Sequence, residues 1–194
     1  MNKQIEQILA DIYKILELKE SIVIAIDGMA ASGKTTLSKI ISSYFDARII
    51  HMDDFFLPLD LRTNERFKTP GGNVHYERFI EEVIPSINGD IDYRRFNCSM
   101  MNYDNNIVLK YKPVTIIEGS YSTHPLFGKY YDYLIFTEID NEKQINRILC
   151  RDGEKLLQMF IDKWLKYECL YFDTFNIKQN ANIIIKDMDV LNDK

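Results

Sequence analysis

Residues 21–45, SIVIAIDGMAASGKTTLSKIISSYF, decide the fold. SIVIAI is a short β-branched run ended by Asp27-Gly28, and reads as a strand buried on both faces. From Lys34 to Phe45, Leu37, Ile40, Ile41 and Tyr44 share one stripe of a helix. Between them Gly28-Met29-Ala30-Ala31-Ser32-Gly33-Lys34-Thr35 satisfies G-x-x-x-x-G-K-[ST] at every required position, after a strand and before a helix. The glycines let the backbone curl so that successive N–H groups point inward, and the helix N-terminus adds partial positive charge. Lys34 then reaches the β- and γ-phosphates of a nucleotide, and Thr35 offers its hydroxyl to Mg²⁺. Residues 28–36, closing on Thr36, are the candidate ATP-binding residues. Average residue frequencies produce this pattern by chance in on the order of 1% of chains this long.

Working outward, Ile5, Ile8, Leu9, Ile12, Ile15 and Leu16 place an amphipathic helix over 1–19. Residues 47–52 form a second strand, followed by Asp53-Asp54 and a stretch of little periodicity to Asn73. Connections of that length are usually functional or disordered. A helix over 76–87 stops at Asn88-Gly89. Residues 90–96 and 107–111 form a strand pair across a polar connection at 97–106. Further strands fall at 114–117 and 133–139, a helix at about 141–151, a helical region ending near Tyr171, and a last strand at 181–185. Alternating strands and helices predict an α/β, three-layer fold with a mostly parallel central sheet flanked by helices, plus a small lid. The chain reads as a single domain, with acceptor-side insertions at 54–75 and 90–111 and a lid region at 141–155. Trp164, Tyr167, Tyr171 and Phe172 lie at helical spacing and read as core.

Composition narrows the function. The 194 residues carry 24 Lys+Arg against 29 Asp+Glu, a net charge of −5 that gives no general attraction for nucleic acid. Cys98, Cys150 and Cys169 are odd in number and far apart, so neither a disulfide framework nor a zinc ribbon is indicated. His51, His75 and His124 lack the spacing of a helical metal pair and read as packing or surface. No signal-peptide core and no membrane-length apolar run occur, so the expected setting is cytoplasmic, with no membrane partner. The oligomeric state, including a homo-oligomer, stays open. A GTPase would need N-K-x-D and D-x-x-G, and neither is present. A small-molecule kinase fits the size better than a motor ATPase. Two other readings remain: a non-catalytic regulatory ATP-binding module, and a phosphoryl-transferring toxin acting on a sugar-nucleotide.

Asp53 and Asp54 follow the second strand, at the sheet edge where a carboxylate could accept a hydroxyl proton and help order Mg²⁺ through water. Glu118 ends the strand VTII and is placed to act on Mg²⁺ in the same way. Arg147 and Arg151, four apart on a helix, could converge on one anion. Arg66 and Asn73 lie in a polar, Gly-rich segment that could cover the acceptor, while Tyr93, Arg95 and Phe96 could line its pocket.

With IAIDGMAASGKTT, HMDDFF (51–56), IIEGSY (116–121) and RILCRDG (147–153), most of residues 20–186 resembles the uridine kinase family of P-loop kinases. That family includes nicotinamide riboside kinases and is related to pantothenate kinase and phosphoribulokinase. The resemblance implies phosphoryl transfer from ATP-Mg²⁺ to a small, ribose-containing acceptor. It makes Asp53 the base, Thr35, Asp53 and Glu118 the metal-side residues, and Arg147 and Arg151 lid residues over ATP. It also makes Asn73 or His75 the counterpart of a ribose-binding carboxylate. DDFF is closer to nicotinamide riboside kinases than the DSFY of uridine kinases, and the T-H-S-R stretch of uridine and cytidine binding does not follow Tyr93-Arg94-Arg95-Phe96. A nicotinamide riboside, pantothenate or sugar acceptor therefore stands beside a uridine-like one.

Overall fold

The computed structural model describes residues 3–188. Helix α1 (Lys3–Leu18) leads into β1 (Ile22–Gly28), α2 (Lys34–Tyr44) and β2 (Ala47–His51). Short helices α3 (Asn64–Lys68) and α4 (Tyr76–Glu82) precede an antiparallel hairpin of β3 (Ile91–Asn97) and β4 (Asn102–Leu109). Then come β5 (Val114–Glu118), β6 (Tyr133–Glu138), α5 (Asn141–Asp152), α6 (Glu154–Met159), a π-helical turn (Phe160–Trp164), α7 (Leu165–Phe175) and β7 (Ile183–Lys186). The main sheet runs β2-β5-β1-β6-β7, with every neighbouring pair parallel. Parallel pairing needs crossovers, and the crossovers cover both faces with helix. The expected α/β architecture is what forms.

β1 sits at the centre with every residue buried, and its alternation divides the core. Ile22, Ile24 and Ile26 pack against Ile5, Ile8 and Ile12 of α1 and Leu37 and Ile41 of α2. Val23 joins Ile50, Ile117, Phe136, Phe79 and Tyr171 on the other side. Asp27 shares the parity of Val23, so its carboxylate is driven into this second layer with no exposed surface. There it accepts from the N–H groups of Gly28 (2.8 Å), Tyr121 (3.0 Å) and Thr123 (3.0 Å), from Thr123 Oγ1 (2.7 Å) and from the Tyr171 hydroxyl (2.9 Å). Burial pushes its pKa up, and these donors pull it back.

Some boundaries differ from the sequence reading. The helix expected over 76–87 stops at Glu82; Ile84–Ser86 is a 3₁₀ turn containing Pro85, which cannot donate to an α-helical ladder. The strand pair meets through a turn at 98–101 rather than across 97–106, and a bulge interrupts it between Arg94 and Phe96. Tyr103 packs its ring on Phe96 at 5.5 Å, and the polar residues around it extend into solvent, so alternation of hydrophobicity could not mark the strand. The last helix continues past Tyr171 to Phe175, where Asn176 stops it at φ 51°. Among the described residues no helix is long and apolar enough to cross a membrane.

Asp27→Ala leaves several buried donors without an acceptor and should destabilise the protein by about 3 kcal/mol or more. Thermal unfolding of the variant checks this; an unchanged midpoint would mean that the network holds nothing together.

Candidate active site

Glu118 ends β5 in register with Ile26 of β1 and His51 of β2, so three strand ends open on one edge of the sheet. Ligands of open parallel sheets bind beyond that edge. A cleft of about 950 Å³ occupies it, lined by residues 30–36 and by Asp53, Asn73, Glu118, Arg147 and Arg151, among others.

The loop after β1 is held by backbone geometry that few side chains tolerate. Gly28 lies at φ 138°, Ala31 at 58° and Gly33 at 101°. A Cβ on Gly28 would stand 2.1 Å from the Thr137 carbonyl oxygen. Lys34 turns its ammonium onto the Gly28 and Met29 carbonyls (2.8 Å each) and approaches Ser120 Oγ at 3.3 Å. The first N–H groups of α2 have no acceptor within the helix and face the loop's concavity, a standing site for an anion.

Beside the loop, Thr35 Oγ1 donates to Glu118 Oε1 at 3.1 Å, and His51 Nδ1 meets the same oxygen at 2.5 Å. The hydrogen bond to Glu118 raises the His51 pKa, against some desolvation. The two adjacent acids part company. Asp54 is buried and accepts from the Tyr93 hydroxyl at 2.8 Å, with Arg95 Nε 3.6 Å away. Asp53 opens into the cleft; desolvation there and the Glu118 charge raise its pKa, while Lys34, His51 and Arg151 oppose the rise. Asn73 is only 5% exposed, with both amide atoms lacking a hydrogen-bond partner. From α5, Arg147 donates to the Ala31 carbonyl (3.1 Å), and Arg151 stacks toward Phe160 while bonding Asp152.

No protein-family model matches the sequence, and no curated protein does. Solved structures do. A possible uridine kinase from Bacillus stearothermophilus superposes with TM-score 0.71 at 19% identity, covering 94% of this chain and 97% of that one. A candidate fructose transport system kinase from Silicibacter sp. TM1040 gives 0.68 at 17% identity, covering 91% and 98%. YFH7 from Saccharomyces cerevisiae, described as a circularly permuted candidate P-loop kinase, gives 0.63 at 14% identity, covering 95% and 99%. This chain has the P-loop kinase fold.

Within that P-loop kinase fold the cleft gathers residues 30–36 of the expected phosphate loop, Gly28 and Met29 lying behind its lining, together with Asp53, Glu118, Asn73, Arg147 and Arg151, and leaves out the remaining expected acceptor residues. Arg66 is clamped by both oxygens of Glu77 (2.7 and 2.9 Å) and by the Gly72 and Val74 carbonyls, and so braces its own loop. His75 lies against Glu77, with its Nδ1 3.2 Å from Oε2. Tyr93 and Phe96 are buried, Tyr93 stacking on Phe55, and Arg95 spans Asp54 and Asp104 on the hairpin. The hairpin thus packs behind Asp54 rather than lining the cleft.

The cleft also contains residues that sequence patterning passed over. Trp164, expected in the core, lines it opposite Phe56, their ring centroids 5.9 Å apart. Tyr171 and Phe172 are core, as expected. Ser120, Tyr121 and Glu168 complete the wall. Glu168 precedes Tyr171 by one helical turn of α7, so the turn that fastens to Asp27 also presents a carboxylate. The available signal was a carboxylate on the same helical stripe as Trp164, Tyr171 and Phe172, a charge set among residues that periodicity reads as core.

Gly28→Ala must accommodate both the positive φ and the clash with Thr137. With strain of about 1–3 kcal/mol, triphosphate binding should weaken by about tenfold or more. Titration with a fluorescent ATP analogue, alongside thermal unfolding, tests it; wild-type affinity would remove the close approach as a requirement.

Proposed function

We propose that this chain is an ATP-dependent small-molecule kinase that moves the γ-phosphoryl group to a hydroxyl of a nucleoside-like acceptor, as uridine kinases do. The observation that carries the reading is the sharing of one cleft by the phosphate loop and an open Asp53, while Asp54 is tied away to Tyr93. That arrangement supports a proton acceptor beside the phosphate site rather than one merely near it in sequence.

The Thr35 and Glu118 oxygens, 3.1 Å apart, suit a hard cation. Among the described residues no three His, Cys, Asp or Glu side chains form a metal cage. Mg²⁺ needs none when phosphate and water oxygens complete its shell. Bound through Thr35, and across water by Glu118 and Asp53, Mg²⁺ would supply positive charge to the phosphate oxygens. The protein's own groups supply the rest. Lys34 and the loop N–H groups offset charge on the transferring group. Asp53 orients the acceptor hydroxyl and takes its proton. Arg147 and Arg151 reach in from the lid, and Asn73 offers its unpaired amide to the acceptor.

The test is ADP release from ATP-Mg²⁺ across nucleosides, nicotinamide riboside, pantothenate and sugars; ADP release independent of every acceptor would favour a regulatory module. Lys34→Ala should lower turnover by at least about 10²-fold without unfolding the protein. Asp53→Asn should depress kcat more than acceptor binding, and Asp54→Asn should act mainly on stability. The reverse ranking of the two acids would move the base by one residue. Loss of Arg147 or Arg151 should cost about 10- to 10³-fold in kcat/KM for ATP. The double variant should lose less than the product if they share one anion.

A further inference from the structure

Among the described residues, three carboxylates line the cleft: Asp53, Glu118 and Glu168. The proposed transfer employs the first two. Glu168 is 7% exposed on α7, its Oε2 accepting the Ala30 N–H at 2.9 Å and its Oε1 accepting from Ser120 Oγ at 2.5 Å. Its facing cation is Lys34, which approaches the same Ser120 oxygen at 3.3 Å. Tyr121, held at φ 75°, lies within the field of Glu168 and beside the buried amide of Asn73. Asn73, Tyr121 and Glu168 thus make one polar corner in a lining that also contains Phe56 and Trp164.

The charges of the cleft are sorted by element. Its cations, Lys34, Lys39, Arg147 and Arg151, come from α2 and α5, the helices that flank the phosphate loop. Asp53 and Glu168 come from the turn after β2 and from α7. A buried carboxylate needs donors or a cation, and a buried amide needs partners for both its atoms. Phosphates that engage Lys34 take from Glu168 the cation that balances it. An acceptor with several hydroxyls, or with a positive charge, restores that balance. One bearing a carboxylate or phosphate brings a further negative charge to Asp53 and Glu168.

We infer that Glu168, together with Asn73 and Tyr121, sets acceptor specificity, selecting uncharged or cationic polyhydroxy compounds and rejecting anionic ones. This rests on the kinase reading, and two readouts separate the fate of each. Calorimetry on the chain saturated with a non-hydrolysable ATP analogue, so that the phosphate loop is filled, measures binding of uridine, fructose and nicotinamide riboside against pantothenate and uridine 5′-monophosphate, and ADP release measures turnover with the same five. The first three should bind and the two anions should not. Glu168→Gln keeps the side chain's size and an oxygen for the Ala30 N–H. Loss of a charged hydrogen bond should weaken binding of the preferred acceptors by about tenfold or more, and affinity for a non-hydrolysable ATP analogue should change less. Asn73→Ala should weaken the same acceptors, which guards against misfolding of the Glu168 variant, and thermal unfolding is followed for both. Preference for either anion, wild-type acceptor affinity in both variants, or binding of none of the five would overturn the inference. If no compound yields ADP, the kinase reading fails while the calorimetric ranking still decides the role of Glu168.

Discussion

A fully buried carboxylate can persist only where donors surround it, and Asp27 draws those donors from three separate parts of the chain. The N–H of Gly28 belongs to the phosphate loop, the Tyr121 and Thr123 groups to the segment after β5, and the Tyr171 hydroxyl to α7. Satisfying one charge therefore fixes the relative positions of the loop that would hold phosphates, the strand end that carries Glu118, and the helix that carries Glu168. The rest of the cleft inherits its geometry from this junction. His124 extends it, stacking on Tyr171 and Tyr76 and meeting the Pro70 carbonyl, so the turn leading to Asn73 is braced from the same side.

The adjacent acids after β2 illustrate how packing assigns work. Tyr93 reaches Asp54 because the hairpin folds behind the 3₁₀ turn of residues 52–55, and Arg78 stacks on Phe55 to hold that contact. Asp54 is spent on fastening the hairpin to the sheet edge. Asp53, one residue earlier, faces the cleft, where desolvation and then the Glu118 charge push its pKa up. The hairpin that patterning suggested as pocket wall thus serves as the support for Asp54, the neighbour of the open Asp53.

Much of the fold was legible because local physics dominated it. The run from Ser21 to Ile26 is apolar on both parities, which only a doubly covered strand permits, and the phosphate loop is a contiguous stretch whose requirements are written residue by residue. Asp53, Glu118, Arg147 and Arg151 could be read for the same reason: each sits beside a strand end or repeats at helical spacing. The acceptor side resisted. Arg66, His75, Tyr93, Arg95 and Phe96 carry suitable chemistry, yet their side chains are engaged by Glu77, Asp54, Asp104 or the core. Composition and spacing report what a side chain can do and are silent on which partner reaches it first.

By itself the sequence determined the order of strands and helices and the phosphate loop, since each depends on residues adjacent along the chain. The tertiary structure alone decided that Asn73, Tyr121, Trp164 and Glu168 share one cleft, although Asn73 and Glu168 lie 95 positions apart. Helix periodicity puts Trp164 and Glu168 on one stripe and reads that stripe as core, because it knows only one helix. The π-helical turn between α6 and α7 adds a residue to the helical turn, and the Tyr171 bond to Asp27 sets the orientation of α7 against the phosphate loop. Which face of that helix meets the loop is fixed by a contact 144 residues away, and no local pattern encodes a distance of that kind.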